Sequence, residues 1–149
     1  MKIIRLMLYV IILVALFFVP LQRVNIANLE PIQGVWMYLE NDTIVVETDT
    51  ADCGRGNTIK RAIENMKQNS SGIVYLDTAD YLFVSEDAQE EIAAMKPFVN
   101  KTVKLCQWDG ESGFDDAIKY AESHKKGLQI KRWSEGSKLP EIEPIKKVK

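Results

Sequence analysis

Apolar positions recur along this chain in three patterns, and each predicts a different element. From Leu6 to Leu21 (LMLYVIILVALFFVPL) the run is continuous and uncharged. Counted from Ile3 across Arg5 it reaches about 19 residues, near the lower end of the roughly 17–25 that cross a hydrocarbon core, so it predicts a transmembrane helix. Further on, Ile59, Ala62, Ile63 and Met66 fall at i, i+3, i+4 and i+7, as do Phe114, Ala117, Ile118 and Ala121. Each set predicts one apolar face of an amphipathic helix. Ala88, Ile92 and Met95 form a third, weaker stripe after Ser85 and the acids Glu86 and Asp87, with Pro97 expected to stop it.

The remaining apolar runs are short and read as strands. Gln33–Leu39 and Thr43–Thr48 flank Glu40-Asn41-Asp42 and predict a hairpin. Ile73–Leu76 and Tyr81–Val84 are nearly continuous, the pattern of strands covered on both faces, although Tyr81–Val84 reads equally as the lead-in to a helix capped by Ser85. Val103–Trp108 and Leu128–Trp133 complete the set, and Ser112-Gly-Phe-Asp115 resembles a capping box opening the last helix. A hairpin followed by three helix–strand alternations is an α/β pattern: a small mixed β-sheet with about three packed helices.

Charge sets the expected topology. Lys2 and Arg5 precede the long run and only Arg23 closely follows it, so the N-terminus is expected in the cytoplasm and the rest of the chain outside the cytoplasmic membrane. Pro20-Leu21-Gln22-Arg23-Val24-Asn25 lacks the small residues at alternate positions that signal cleavage needs, so the run is read as an uncleaved signal anchor. The expected organisation is therefore an anchor at 1–23, a spacer at 24–31, an extracytoplasmic α/β domain at 32–135 and a flexible tail at 136–149. Of the 19 lysines and arginines, Lys2, Arg5 and Arg23 belong to the anchor; the remaining 16 face 21 acids, a net charge of −5. That sign argues against nucleic acid or an anionic lipid surface as the partner of the domain.

Candidate chemistry is sparse. Thr48–Gly56 reads as a turn-rich loop, and Gly54-Arg55-Gly56-Asn57-Thr58 at its end precedes a helix, where free amides and the helix dipole suit a phosphate. It lacks both the Gly-Lys-Ser/Thr of a P-loop and the third glycine of a dinucleotide fingerprint, and two glycines before a helix also serve simply as turn residues. Asp49-Thr-Ala-Asp52 recurs as Asp77-Thr-Ala-Asp80, each read as following a strand, and Asp109 follows another. Carboxylates meeting at the strand ends of an open sheet can bind Mg²⁺ or share a proton; the local alternative is that they start turns. Cys53 and Cys106 have no metal-ligand spacing, and in an exported domain they are candidates for a disulfide. His124, the only histidine, lies at a helix C-terminus, where a cation offsets the dipole, and no triad partner is recognisable. Trp36, Trp108 and Trp133 read as core, with an exposed Trp36 or Trp133 suited to a protein interface. No cofactor motif or metal-ligand set is present.

Gly56-Asn-Thr-Ile-Lys-Arg-Ala62 resembles the start of a helix in the N-terminal domain of the spore-germination receptor C subunits, a Gly-x-Thr-apolar-x-x-Ala pattern. An apolar strand, a second apolar segment like Tyr81-Leu-Phe-Val-Ser85 and a helix entering a further strand continue the likeness over residues 40–110. The resemblance implies a non-enzymatic, membrane-attached extracytoplasmic subunit that works through contacts with other membrane proteins. Members of that family are lipoproteins with an acylated cysteine and carry further domains, whereas this chain has no cysteine at the end of its apolar run. The competing reading is a small ligand-binding or Mg-dependent phosphate-handling enzyme using Gly54, Gly56, Asn57, Thr58, Asp77 and Asp109.

Overall fold

A computed structural model of the chain describes residues 31–143, together with Met7 and Tyr9. The expected anchor, nearly all of the spacer and the final basic residues of the tail lie outside the described residues. No helix among the described residues is long and apolar enough to cross a membrane.

The domain is mixed α/β, built on one six-stranded sheet. Strand β1 (Gly34–Glu40) and strand β2 (Thr43–Thr48) form the expected hairpin. Its turn residues Asn41 and Asp42 both take positive φ, the conformation a tight hairpin demands and short polar side chains tolerate. Strand β3 (Cys53–Gly56) turns back antiparallel along β2. Helix α1 (Ile59–Asn69) then carries the chain across one face to β4 (Tyr81–Val84), which pairs parallel with β1. Helix α2 (Ile92–Met95) precedes β5 (Lys104–Gln107), parallel to β4; helix α3 (Phe114–Ser123) leads to β6 (Leu128–Gln129), antiparallel to β5. The order across the sheet is β3-β2-β1-β4-β5-β6.

Period-2 alternation sends side chains to two separate cores. Val35, Met37, Val46, Leu82, Val84 and Leu105 pack on the side of α1 and α2, where Ile59, Ala62, Ile63, Met66, Ile92 and Met95 meet them as their spacing requires. Tyr81, Phe83, Cys106 and Trp108 pack on the other side with Ala117, Ile118 and Ala121 of α3. All four residues of β4 are buried, which explains its unbroken apolar run.

Several expectations are corrected. Ile73–Leu76 is not a strand: the place beside β1 is taken by β4, and 73–76 has no strand to pair with. Its Val74 and Leu76 are buried while Ile73 and Tyr75 face outward, and the segment runs into a 3₁₀ turn at Leu76–Thr78. The second helix is mostly 3₁₀, Glu86–Glu91 and Lys96–Phe98 around the short α2; Pro97 opens the last turn, where its missing N–H is not needed. Ser112 does not cap α3, because its hydroxyl accepts the Trp108 indole N–H at 3.0 Å, and Gly113 is the cap residue. Leu128–Trp133 contributes only two strand residues before a 3₁₀ turn at Ile130–Arg132.

The expected flexible tail is ordered at least through Glu143. Leu139 and Ile142 are buried, and the Gln107 amide donates to the Pro140 carbonyl at 2.8 Å while the Ile142 amide donates to the Gln107 carbonyl at 2.9 Å. This segment continues along the edge of β5 beyond β6, so apolar burial and backbone pairing together hold what composition suggested was loose.

Helix α1 sits so close on β3 that side chains are excluded between them. A Cβ at Gly54 would lie 2.0 Å from the Ala62 carbonyl oxygen, whereas one at Gly72 meets nothing within 4 Å. Gly54→Ala is expected to destabilise the domain by about 3 kcal/mol or more through overpacking, and Gly72→Ala to change stability by less than about 1 kcal/mol. Urea unfolding of both variants measures the contrast; equal midpoints would refute the close seating.

Candidate functional site

The glycine segment is consumed by packing. Gly54 and Gly56 lie in β3, and a Cβ at Gly56 would come 2.6 Å from the Ala62 nitrogen, so both positions are open to the helix backbone rather than to a ligand. The Arg55 amide donates to the Asn65 side chain at 3.1 Å. Thr58 is the N-cap of α1, its hydroxyl accepting the Arg61 amide at 3.3 Å, and the Asn57 side-chain oxygen accepts the Arg61 guanidinium at 3.3 Å. In place of a phosphate cradle, these residues serve as a close-packed edge and a capped helix start.

The carboxylates do not converge. Asp77 precedes β4 and Asp109 follows β5; those strands are parallel, so the two acids stand at opposite ends of the sheet. The Gly56–Thr58 turn lies at the same end as Asp109 but on the far edge, four strand spacings from β5, about 19 Å. Asp109 accepts the Glu111 amide at 3.0 Å, the local turn role. Among the described residues no group of three or more His, Cys, Asp or Glu could hold a metal ion.

The repeated Asp-Thr-Ala-Asp segments do meet, in a way the sequence did not reveal. The first follows β2 and the second precedes β4, not follows a strand; because β2 is antiparallel and β4 parallel to β1, both arrive at the start of β1. The Gln33 amide donates to both Asp49 carboxylate oxygens at 3.0 and 3.2 Å, and the Asp80 and Tyr81 amides donate to the Gln33 carbonyl at 2.9 and 3.0 Å. The Ile32 amide donates to the Thr78 hydroxyl at 3.2 Å. The two segments thus clasp the chain from both sides where it comes into the domain, through the Asp49 carboxylate, the Thr78 hydroxyl and the Asp80 amide.

The cysteines do not pair. Cys53 stands opposite Glu47, Glu47 opposite Trp36, Trp36 opposite Phe83 and Phe83 opposite Cys106, one in-register row with three strands between the thiols. The separation is again about 19 Å, far beyond the roughly 7 Å limit for bridging, and both thiols are free. Burial pushes the Cys106 thiol up to about 12, against the opposing pull of Lys104 and Lys126. Burial and the Glu47 carboxylate raise that of half-buried Cys53, partly offset by Arg55. His124 closes α3 as expected, its Nδ1 3.0 Å from the Tyr120 carbonyl and its ring stacked on Tyr120 at 4.1 Å.

That row marks the surface with the most recognition chemistry. The ring of Phe114 and the side chain of Ile118 reach Gly34 in β1, and no described helix extends over β2 and β3 on that side. There the half-buried Trp36 and Tyr38 stack at 4.1 Å, the Tyr38 hydroxyl donates to Glu47 at 2.8 Å, and exposed Arg55 pairs with Glu40 at 3.0 Å. Gly110, with φ +81°, lets its loop lie on the Trp36 ring, where a Cβ would come within 2.4 Å. The Trp36 indole N–H is buried with no hydrogen-bond partner among the described residues. Trp108 and Trp133, by contrast, are core. Sequence reasoning missed Tyr38, Glu47 and Arg55 because Cys53–Gly56 read as a loop; read as a strand, its alternation puts Cys53 and Arg55 on the face of Trp36 and Tyr38.

Two outcomes follow. Alkylation of the native protein without reductant should modify Cys53 slowly and spare Cys106, while denaturant should expose two free thiols by mass spectrometry; a disulfide-linked peptide would contradict the strand order. Burial and Glu47 raise the Tyr38 phenol above its ordinary 10.0, so the fold favours the neutral form. That contribution is complete below about pH 10 and is lost as pH rises through the folded-state value. Tyr38→Phe should cost about 1 kcal/mol at neutral pH and narrow its deficit above about pH 10, measured by urea unfolding across pH.

Compared with known proteins, the chain matches no family model, no curated protein and no solved structure.

Proposed function

We propose that this chain is a membrane-held interaction module. The run Leu6–Leu21 anchors it once in the cytoplasmic membrane with the N-terminus inside, and the α/β domain works outside the membrane, without catalysis, by binding other membrane proteins. The resemblance of residues 40–110 to the N-terminal domain of spore-germination receptor C subunits implies the same role.

The observation that carries the reading is the sheet face on which half-buried Trp36, Tyr38 and Glu47 lie beside exposed Arg55. Tryptophan, tyrosine and arginine are the residues that dominate binding energy at protein interfaces. The residues of the enzyme reading, meanwhile, are spread over β3, the start of α1 and two opposite ends of the sheet and do not converge on one pocket. The Arg55–Glu40 pair is solvent-exposed and contributes little to stability, so its charge is available to a partner.

Co-purification of the full-length protein from its native membrane should recover membrane-protein partners, and Arg55→Glu should cost about 2 kcal/mol of binding, roughly thirtyfold, with unchanged thermal unfolding. Recovery of the same partners by both forms would refute this face. A reporter fused after Lys149, with the native flanks of the anchor kept, should report an extracytoplasmic C-terminus; a cytoplasmic one would refute the topology.

A further inference from the structure

Within residues 31–143 the most exposed large apolar side chains are Ile73 and Tyr75, at 50% and 44%. They line a groove with the buried Ile63 and Leu76 and the half-buried Phe98. Exposed Lys67 and Asp77 also line it, so its charge is balanced and a largely uncharged occupant suits it. An isoleucine and a tyrosine left beside an apolar floor form an incomplete core that an apolar segment would finish.

The geometry where the chain comes into the domain says which segment. The Thr78 hydroxyl accepts the Ile32 amide at 3.2 Å and lies 2.8 Å from the Tyr75 carbonyl, to which it donates. Ile32 and Tyr75 are therefore joined through a single side-chain oxygen. Ile32 is itself buried in the same core as Ile63, Val74 and Leu76, so the chain reaches Ile32 beside the groove, and the segment of interest is made of the residues that come before Pro31. Those residues are Val24-Asn-Ile-Ala-Asn-Leu-Glu30, with Val24, Ile26 and Leu29 apolar and Glu30 the only charge. Extended, the seven span about 25 Å, enough to fold back over Ile73 before the long apolar run begins.

We propose that residues 24–30 dock on this groove, with Ile26 and Leu29 covering Ile73 and Tyr75. The docking makes the lead-in part of the domain. For a domain held at a membrane, it also sets the pose of the Trp36–Tyr38 face relative to the bilayer. That consequence rests on the membrane-held reading; the docking does not. An anionic bilayer surface is the poorer occupant, given the groove's balanced charge and the −5 outside the anchor.

The test is made on the full chain in detergent micelles. Gly72 lines the groove, and a Cβ there meets nothing and needs no strained φ, so Gly72→Cys in a Cys53→Ser background places a thiol where the segment should cover it. With the native segment, maleimide should label this thiol about tenfold more slowly than with Ile26→Asp and Leu29→Asp together, the ratio expected if the groove opens about a tenth of the time. Lys60→Cys, on an exposed position of α1, should label equally in both backgrounds. Equal rates at position 72 would overturn the proposal. Protection that depends on protein concentration would overturn it in favour of a second copy, and protection only in vesicles in favour of lipid. Alkaline extraction of native membranes tests the anchor separately, so either reading can fail alone.

Discussion

The parallel pairing of β1 with β4 is the constraint on which the rest of the domain depends. It joins Gly34 to Tyr81 across a long stretch of chain, and it makes the hairpin strand β1 an interior strand bonded on both edges. A parallel pair needs a crossover, and α1 supplies it by running over β3 and β2. The crossover fits because Gly54 and Gly56 carry no side chain beneath the helix backbone. The register is held where β1 begins: Asp49 takes the Gln33 amide from one side, and the Asp80 and Tyr81 amides take the Gln33 carbonyl from the other. Loss of either clasp would remove the partners that hold Gln33 at the start of β1.

The two faces of the sheet then diverge. On the α1 side the core is continuous from Ile32 to Leu139 and leaves a groove open at Ile73 and Tyr75. On the α3 side the helix covers β4 and β5 and stops at β1, so Tyr38 of β1, Glu47 of β2 and Arg55 of β3 are left without a helix over them. Tyr38 and Glu47 are kept together there by a hydrogen bond that favours the neutral phenol, which gives the face a fixed donor–acceptor arrangement rather than a reactive one. Cys106, opposite Phe83 in the same row, is held as a thiol by burial. The stacked Trp36 and Tyr38 and the exposed Arg55 are the features on which the proposed recognition role rests.

What could be read from the chain alone was whatever a local period decides. The stripe Ile59-Ala62-Ile63-Met66 has one burial solution whatever surrounds it, so α1 and its buried face were legible. The same holds for α3 and for the hairpin with its Asn41-Asp42 turn, whereas Tyr81–Val84 left a strand and the lead-in to a helix equally open until its pairing with β1 decided it. The α/β class follows from their alternation.

Tertiary structure decided wherever a partner distant in sequence sets the outcome. Ile73–Leu76 is as apolar as β4, but the sheet has one place beside β1, and the clasp at Gln33 gives it to Tyr81. Cys53–Gly56 looks like a turn because its glycines are read locally; it is a strand because β2 offers an edge and α1 needs the space. Residues 136–143 are ordered because the edge of β5 beyond β6 is unpaired and Leu139 and Ile142 find the two cores. The cysteine separation and the scatter of the acids follow from strand order, which hydrophobic pattern leaves open because pairing energy depends on neighbours in space and not on spacing along the chain.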